Sequence, residues 1–324
     1  MPAPSTSLAT LRPELAGSLE EFDLLADRQG FIAPRVLPVF EVQKAAGTFG
    51  KIAIESLLAN VETRRAPRTG YSRGDWKFTT DSYATEEHGH EEVVDDNEAA
   101  MYREYFEAEL ISAARALDVV LRNAERRVAD AIFNATTWAS YKTEVTTEWS
   151  TAASATPIDD VEAAVQAIYA RTGLWPDTLI LNRIVFRNLR NCDQIIERIA
   201  SSGAGSPTKP TDITTAMLSQ VFDLPNIVVS GGTKNTATEG QSASLSPIWS
   251  SEYAMICRIC STNDIAEPGL GRTFHWSEDG STIGGTIESY RDETVRGDVI
   301  RARHQVDEKV LYAEAGQLLY NITA

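Results

Sequence analysis

Between Tyr102 and Ala131 the apolar positions Tyr102, Phe106, Leu110, Ala113, Leu117, Leu121, Ala124, Val128 and Ala131 recur about every 3.6 residues, the period of an α-helix. Neither glycine nor proline interrupts the chain from Asp95 to Trp138. Asp95 is placed to cap the first turn, with Glu98 three residues on as in a capping box. An unbroken helix of about 40 residues would rise ~60 Å. A compact ball of 324 residues is only ~50 Å across. Such a rod predicts a flat or L-shaped subunit.

Upstream, "FIAPRVLPVFEV" is apolar, but Pro34 and Pro38 oppose regular helix and favour extended backbone. It predicts an arm lying along the molecule or along a neighbour. From Lys51 to about Tyr83 the pattern is a hairpin: "IAIESL" and "WKFTTDSYAT" have strand composition, and "RRAPRTGYSRGD" between them is rich in turn formers. Downstream the chain reads as α/β. "IDDVEAAVQAIYARTG" is a helix ended by Gly173, "DTLILN" a buried strand, "NRIVFRNLRNCDQIIERIAS" one or two helices, "DITTAMLSQVFDLP" another, and "NIVVSGG" and "EYAMICRI" two more strands. Residues 231–247 are small and polar and predict a mobile loop. In the tail, Ile300, Ala302, His304 and Val306 alternate with Arg301, Arg303 and Gln305, as on a half-exposed strand.

Charge makes the hairpin region polar along its length. Arg64, Arg65, Arg68, Arg73 and Lys77 cluster at its tip against only Glu62 and Asp75. "EEHGHEEVVDD" follows at once, and predicts an acidic loop root leading into the helix. One reading is a solvated surface. The other is a head-to-tail contact, in which the basic tip of one copy meets the acidic root of the next; contacts of that kind close into rings and shells. The residues of that contact would be Arg64, Arg65, Arg68, Arg73, Lys77, Glu86, Glu87, Glu91 and Glu92.

The same acidic stretch holds His88 and His90, and a third possibility is a metal-dependent enzyme using them. Spacing of two would put both rings on one face of a strand, whereas helical metal ligands are spaced by three or four. Imidazoles among carboxylates are also expected to protonate near neutral pH. The rest of the chain adds no chemistry: there is no P-loop and no GxSxG, and "GLGRTF" supplies only the first two glycines of a dinucleotide fingerprint. Cys192, Cys257 and Cys260 are too few for a disulfide framework, and as a strand "YAMICRIC" would turn Cys257 and Cys260 to opposite faces. No catalytic residue, cofactor site or metal site is assigned.

A net charge of −16, from 46 acidic and 30 basic residues, excludes a protein that reads DNA sequence through a basic stripe. It does not exclude a container whose wall must not stick to its contents. A hydrophobic fraction of 43% and a mean hydropathy of −0.23 describe a folded chain. No apolar run reaches membrane-spanning length, and "MPAPSTSLATLRPEL" has neither the basic nor the apolar part of a signal peptide, so folding in a cytoplasm and no membrane contact are expected.

An apolar proline-containing arm, a charged hairpin, a long helix, an α/β lobe and a returning β-tail follow one another along the chain. In that order, and in "FIAPRVLPVFEV" with "GTFGKI", "TLILNRIVFRNLRNCDQIIERI" and the tail "GRTFHWSEDGSTIGGTIESYRDETVRGDVIRARHQVDEKVLYAEAGQLLYNI", the chain resembles the major capsid proteins of tailed bacteriophages, with the Hong Kong 97-type fold. The resemblance implies an α+β subunit: an extended N-arm over 1–50, an E-loop hairpin over 51–95, the long spine helix and the first part of the P domain β-sheet over 96–150, an α/β A domain over 151–265, and returning P domain strands over 266–324. It implies a structural protein and not an enzyme, without cofactor, self-assembling as pentamers and hexamers into an icosahedral shell around double-stranded DNA that it does not bind sequence-specifically. The subunit would be assembled in the host cytoplasm and located in the virion, with a portal and a scaffolding protein as partners; an arm pattern beginning near residue 30 leaves no room for a built-in scaffolding segment, so the scaffold is expected to be a separate protein or a segment already removed. Some members of the family join an E-loop lysine to a neighbour's asparagine; Lys77 is the one lysine between Lys51 and Lys142, and no acceptor for it is identifiable in the sequence. A rival sharing the fold is an encapsulin-like nanocompartment shell that holds enzyme cargo.

Overall fold

A computed structural model of the protein describes residues 27–52, 60–74, 78–102, 108–201, 212–238 and 240–323. The chain enters through a one-turn helix α1 (Ala33–Val36) and strand β1 (Val39–Val42), then forms the hairpin β2 (Ala46–Ile52) and β3 (Phe78–Ala84). Strand β4 (Glu86–Asp95) leads into helices α2 (Asp96–Tyr102) and α3 (Ala108–Ile132). The α/β lobe follows: β5 (Lys142–Glu144), α4 (Pro157–Thr172), β6 (Thr178–Asn182), α5 (Arg183–Leu189), α6 (Asp193–Ser201), α7 (Thr215–Phe222), β7 (Asn226–Ser230), β8 (Thr233–Asn235), β9 (Leu245–Pro247) and β10 (Ala254–Cys257). Four strands close the chain: β11 (Gly271–Trp276), β12 (Thr286–Asp292), β13 (Gly297–Val310) and β14 (Gly316–Tyr320).

Two five-stranded sheets organise these elements. In the first, the 14-residue β13 is the hub: it pairs antiparallel with β4, β11 and β12, and β1 adds to β11 in parallel. Because β4 and β12 both pair with residues 297–303, they flank β13 on opposite edges. The predicted alternation holds: Ile300, Ala302, His304 and Val306 are buried while Arg301, Arg303 and Gln305 stay half-exposed. Ala302 packs beneath Ala116, Leu117 and Val120 of α3, so the long helix lies across this sheet.

The second sheet runs β5–β14–β10–β6–β7. Leu179, Leu181, Ala254, Ile256 and Leu319 face a core shared with α4 to α7, whereas Ile180, Met255, Cys257 and Leu318 face a second core shared with α1 and the end of α3. Burial on both faces explains why "TLILN" is apolar throughout. Gly173 ends α4 in the left-handed region, φ 66°, as glycine allows without strain.

The structure corrects several expectations. The long helix is described in two segments, α2 and the 25 residues of α3, which rise ~37 Å; residues 103–107, with Phe106, lie between them outside the described residues. The helix also stops at Ile132 and not at Trp138. The Asn134 side chain accepts from the Thr136 amide at 2.9 Å, forming an Asx turn, and the buried Trp138 indole donates back to the Ala131 carbonyl at 3.1 Å. The buried face of α3 is Ala116, Val120, Val128, Ala129 and Ile132, rotated from the predicted stripe, and Leu110 is 67% exposed. Asp95 does cap, accepting from the amides of Asn97 and Glu98.

Pro34 does not keep its segment extended. It sits in the first turn of α1, where its missing N–H has no intrahelical partner to lose. The acidic stretch is not a loop root but strand β4, and part of the polar 231–247 segment folds as the hairpin β8–β9. Strand β14, expected with the other tail strands, pairs with β10 and β5 inside the α/β lobe, so a boundary at 266 divides neither sheet cleanly.

The second glycine of "GLGRTF" also finds its reason. A Cβ on Gly271 would fall against the Lys309 carbonyl oxygen, Val310 and Leu37. Gly271→Ala is expected to destabilise the fold by ~2 kcal/mol through overpacking, read as a lower urea midpoint at unchanged slope.

Candidate assembly surface

The β2–β3 hairpin is pinned at its base. Tyr83 stacks on buried Phe274 at 4.8 Å between ring centroids, with Phe49 at 5.9 Å. The Lys51 ammonium meets the Leu311 carbonyl and lies 4.4 Å from the Tyr312 ring centroid, while Lys309 pairs with Asp81. Residues 60–74 are exposed without exception, including Val61 at 49% and Tyr71 at 74%. Arg65 reaches the Thr69 carbonyl at 2.6 Å and lies over the Tyr71 ring, giving the tip local order. Among the described residues, Arg64, Arg65, Arg68 and Arg73 make no ion pair; Lys77 lies outside the described residues.

The acidic candidates are arranged differently from the expectation. Strand pleating sends Glu87 and Glu91 to the outer face of the sheet and Glu86, His88, His90 and Glu92 toward α3. On the outer face Arg301 stands in register between Glu91 and Glu288, with Nε 2.5 Å from Glu91, and Arg303 meets Glu288 and Asp279 at 2.7 Å and Glu87 at 3.8 Å. The hydrogen bond from Arg303 holds the Glu288 carboxyl below its ordinary range. Glu92 pairs with Arg115 of α3 at 3.4 Å. Three of the four acids proposed to receive a neighbour therefore already face cations of their own chain. Glu86 has no ion pair among the described residues.

His88 and His90 do share a face, as a strand spacing of two predicts, but they do not converge on one point. His88 packs edge-on to His304 at 6.0 Å, and His90 turns to Glu92 at 4.0 Å. Among the described residues no three His, Cys, Asp or Glu side chains gather as metal ligands would. The expectation that these imidazoles protonate near neutrality is corrected for His88: burial, and then the Arg127 charge, push its pKa down. The three cysteines are free and buried, and burial raises Cys192 to about 11, so its thiol stays protonated.

One group central to the architecture went unread in the sequence. Glu125, 1% exposed on α3, accepts from the amides of Ile32 and Ala33 at 2.8 Å and from the Trp249 indole at 2.6 Å. It thus ties the arm, the long helix and the α/β lobe at one point. Burial raises its pKa against these three hydrogen bonds. The available signal was its phase: an acid spaced 4, 3 and 4 residues along Leu121, Glu125, Val128 and Ile132 sits in the apolar stripe.

No protein-family profile matches the chain. Over 205 residues it is 28% identical to the major capsid protein of Burkholderia phage BcepMu, a match covering 61% of this chain and 63% of that relative. In three dimensions it is similar to the capsid structure of the cyanophage P-SCSP1u, with a TM-score of 0.57 and 11% identity over 88% of this chain and 86% of that one. The chain has the Hong Kong 97-type capsid fold of the tailed-phage major capsid proteins. A phage-related protein from Bordetella bronchiseptica RB50 is similar over 97% of both chains, with a TM-score of 0.64 and 22% identity. An encapsulin complex from Synechococcus elongatus is also similar, over 96% of both chains, with a TM-score of 0.52 and 8% identity.

Proposed function

We propose that the chain is a major capsid protein, a structural subunit that assembles as pentamers and hexamers into an icosahedral shell around double-stranded DNA. The sequence relative bears that name, and the fold is that of phage capsids. The observation that carries the reading is the hairpin tip: fifteen consecutive exposed residues, 60–74, with four arginines and a largely exposed Tyr71, held out from a firmly anchored base. A segment so placed gains burial only from another copy. We assign residues 1–50 as the N-arm, 51–95 as the E-loop, 96–150 as the spine and the start of the P domain, 151–265 as the A domain and 266–324 as returning strands, with β14 lent to the A domain sheet. Arg64, Arg65, Arg68, Arg73 and Lys77 make the contact with a neighbour. On the acidic side Glu86 remains available, while Glu87, Glu91 and Glu92 serve the subunit's own sheet and helix.

An acidic wall fits confinement of DNA without adhesion, because phosphates and carboxylates repel. A separate scaffolding protein and a portal complete the assembly, in a virion built in the host cytoplasm. Electron microscopy of the purified protein is expected to show hollow closed shells of uniform diameter, whose formation weakens as salt rises. Only discrete monomers at high concentration and low salt would refute the proposal. Shells that copurify with a folded enzyme and without DNA would favour the nanocompartment reading.

A further inference from the structure

Helix α3 and the β4–β13 strand pair meet around a buried ionisable cluster that shell formation does not explain. His304, 1% exposed on β13, has its Nε2 3.4 Å from Arg127 Nη2 of α3. A guanidinium only donates, so Nε2 accepts, and the ring carries its proton on Nδ1, 3.4 Å from the Ile283 carbonyl. Arg127 is held from the other side by Glu308 of β13, at 2.7 and 3.0 Å. His88 of β4 stands directly opposite His304 in register, its ring edge-on at 6.0 Å. The remaining charged groups around the cluster are Glu86 of β4, Glu125 of α3 and Arg28 ahead of α1. A cavity of about 240 Å³, otherwise walled by Phe31, Val39, Leu121, Val128, Ile283 and Val306, opens against His304 and Glu308.

We propose that His304 and His88, with Arg127 and Glu308, form an acid-operated latch between the long helix and the β13 sheet. A proton on His304 Nε2 would turn the accepted hydrogen bond into two donors and two positive charges face to face. Glu308 offsets this only in part, because its single negative charge would then face two cations. The cavity supplies the room for α3 to lift and for water to reach the charged rings. The latch is a property of the single subunit and stands whether or not the chain forms shells.

The direction follows from linkage. In the closed state burial, and then Arg127, lower His304 from 6.5 to about 4. The closed state is fully stable above 6.5 and loses stability as pH falls from there toward 4. With those two values, opening becomes about 20-fold more favourable between pH 7 and pH 5 for His304 alone, while most carboxylates remain ionised.

Amide hydrogen exchange on the full chain, normalised for the intrinsic effect of pH, reads this directly. Peptides spanning 86–95, 116–132 and 297–308 are expected to lose about 20-fold protection between pH 7 and pH 5, with 178–182 and 254–257 of the second sheet unchanged. In His304→Gln, folded at pH 7, the loss should shrink to less than about 5-fold, the remainder belonging to His88. Loss of protection spread equally over both sheets, a wild-type change under about 3-fold, or a His304→Gln variant that keeps the full response would each overturn the latch. Should His304→Gln fail to fold, the wild-type contrast between the two sheets decides alone.

Discussion

Glu125→Ala is expected to be the most destabilising single substitution in the described fold. It leaves the amides of Ile32 and Ala33 and the Trp249 indole without their acceptor in a site 1% exposed. An unsatisfied buried donor costs ~1–3 kcal/mol, and relief from burying a carboxylate offsets part of the sum, leaving a net loss of about 4 kcal/mol. For a chain of this size that is a fall in Tm of ~6 °C. Glu125→Gln keeps one acceptor oxygen and should lose about half as much. Thermal denaturation followed by circular dichroism measures both. A shift below about 2 °C for the alanine variant would mean that the arm and the α/β lobe are held elsewhere.

The second large effect concerns assembly and not folding. Reversing Arg64, Arg65, Arg68 and Arg73 to glutamate turns the local charge of residues 60–74 from +3 to −5, counting Glu62. Since every one of these residues is exposed, the subunit's own Tm should move by no more than about 1 °C. Particle formation, followed by light scattering or sedimentation at low salt, should be lost. If the quadruple variant builds particles with wild-type yield and salt dependence, the hairpin tip is not the contact. The pair of experiments separates two roles, that of Glu125 within the subunit and that proposed for the arginines between copies.

Much of the architecture was legible because local patterns and long-range packing agree. Alternation in 300–306, the Gly173 stop and the wholly apolar "TLILN" each reflect burial on one or both faces, and burial is what hydrophobic pattern encodes. The failures fall where two signals compete. "EEHGHEEVVD" is too acidic to read as a strand by composition, yet β13 offers Arg301 and Arg303 in register, and the pairs that result make charge compatible with a ladder. Pro34 signalled extended backbone because its position within the first turn of a helix depends on where that helix starts, and the acceptor fixing that start, Glu125, is 92 residues away from Ala33. The charge arrangement of the candidate surface was half legible for the same reason. Exposed arginines at a turn-rich tip announce themselves, whereas an acid such as Glu91, neutralised by a residue 210 positions later, does not.

The placement of β14 bears on the order in which the molecule can be completed. It lies between β5 and β10, in the middle of a sheet whose other members are all made earlier, and its Leu319 and the following Ile322 close the core beneath α4. Until those residues emerge from the ribosome, the lobe keeps an open slot between two strand edges. A growing polypeptide therefore has no finished lobe until β14 and Ile322 have been made.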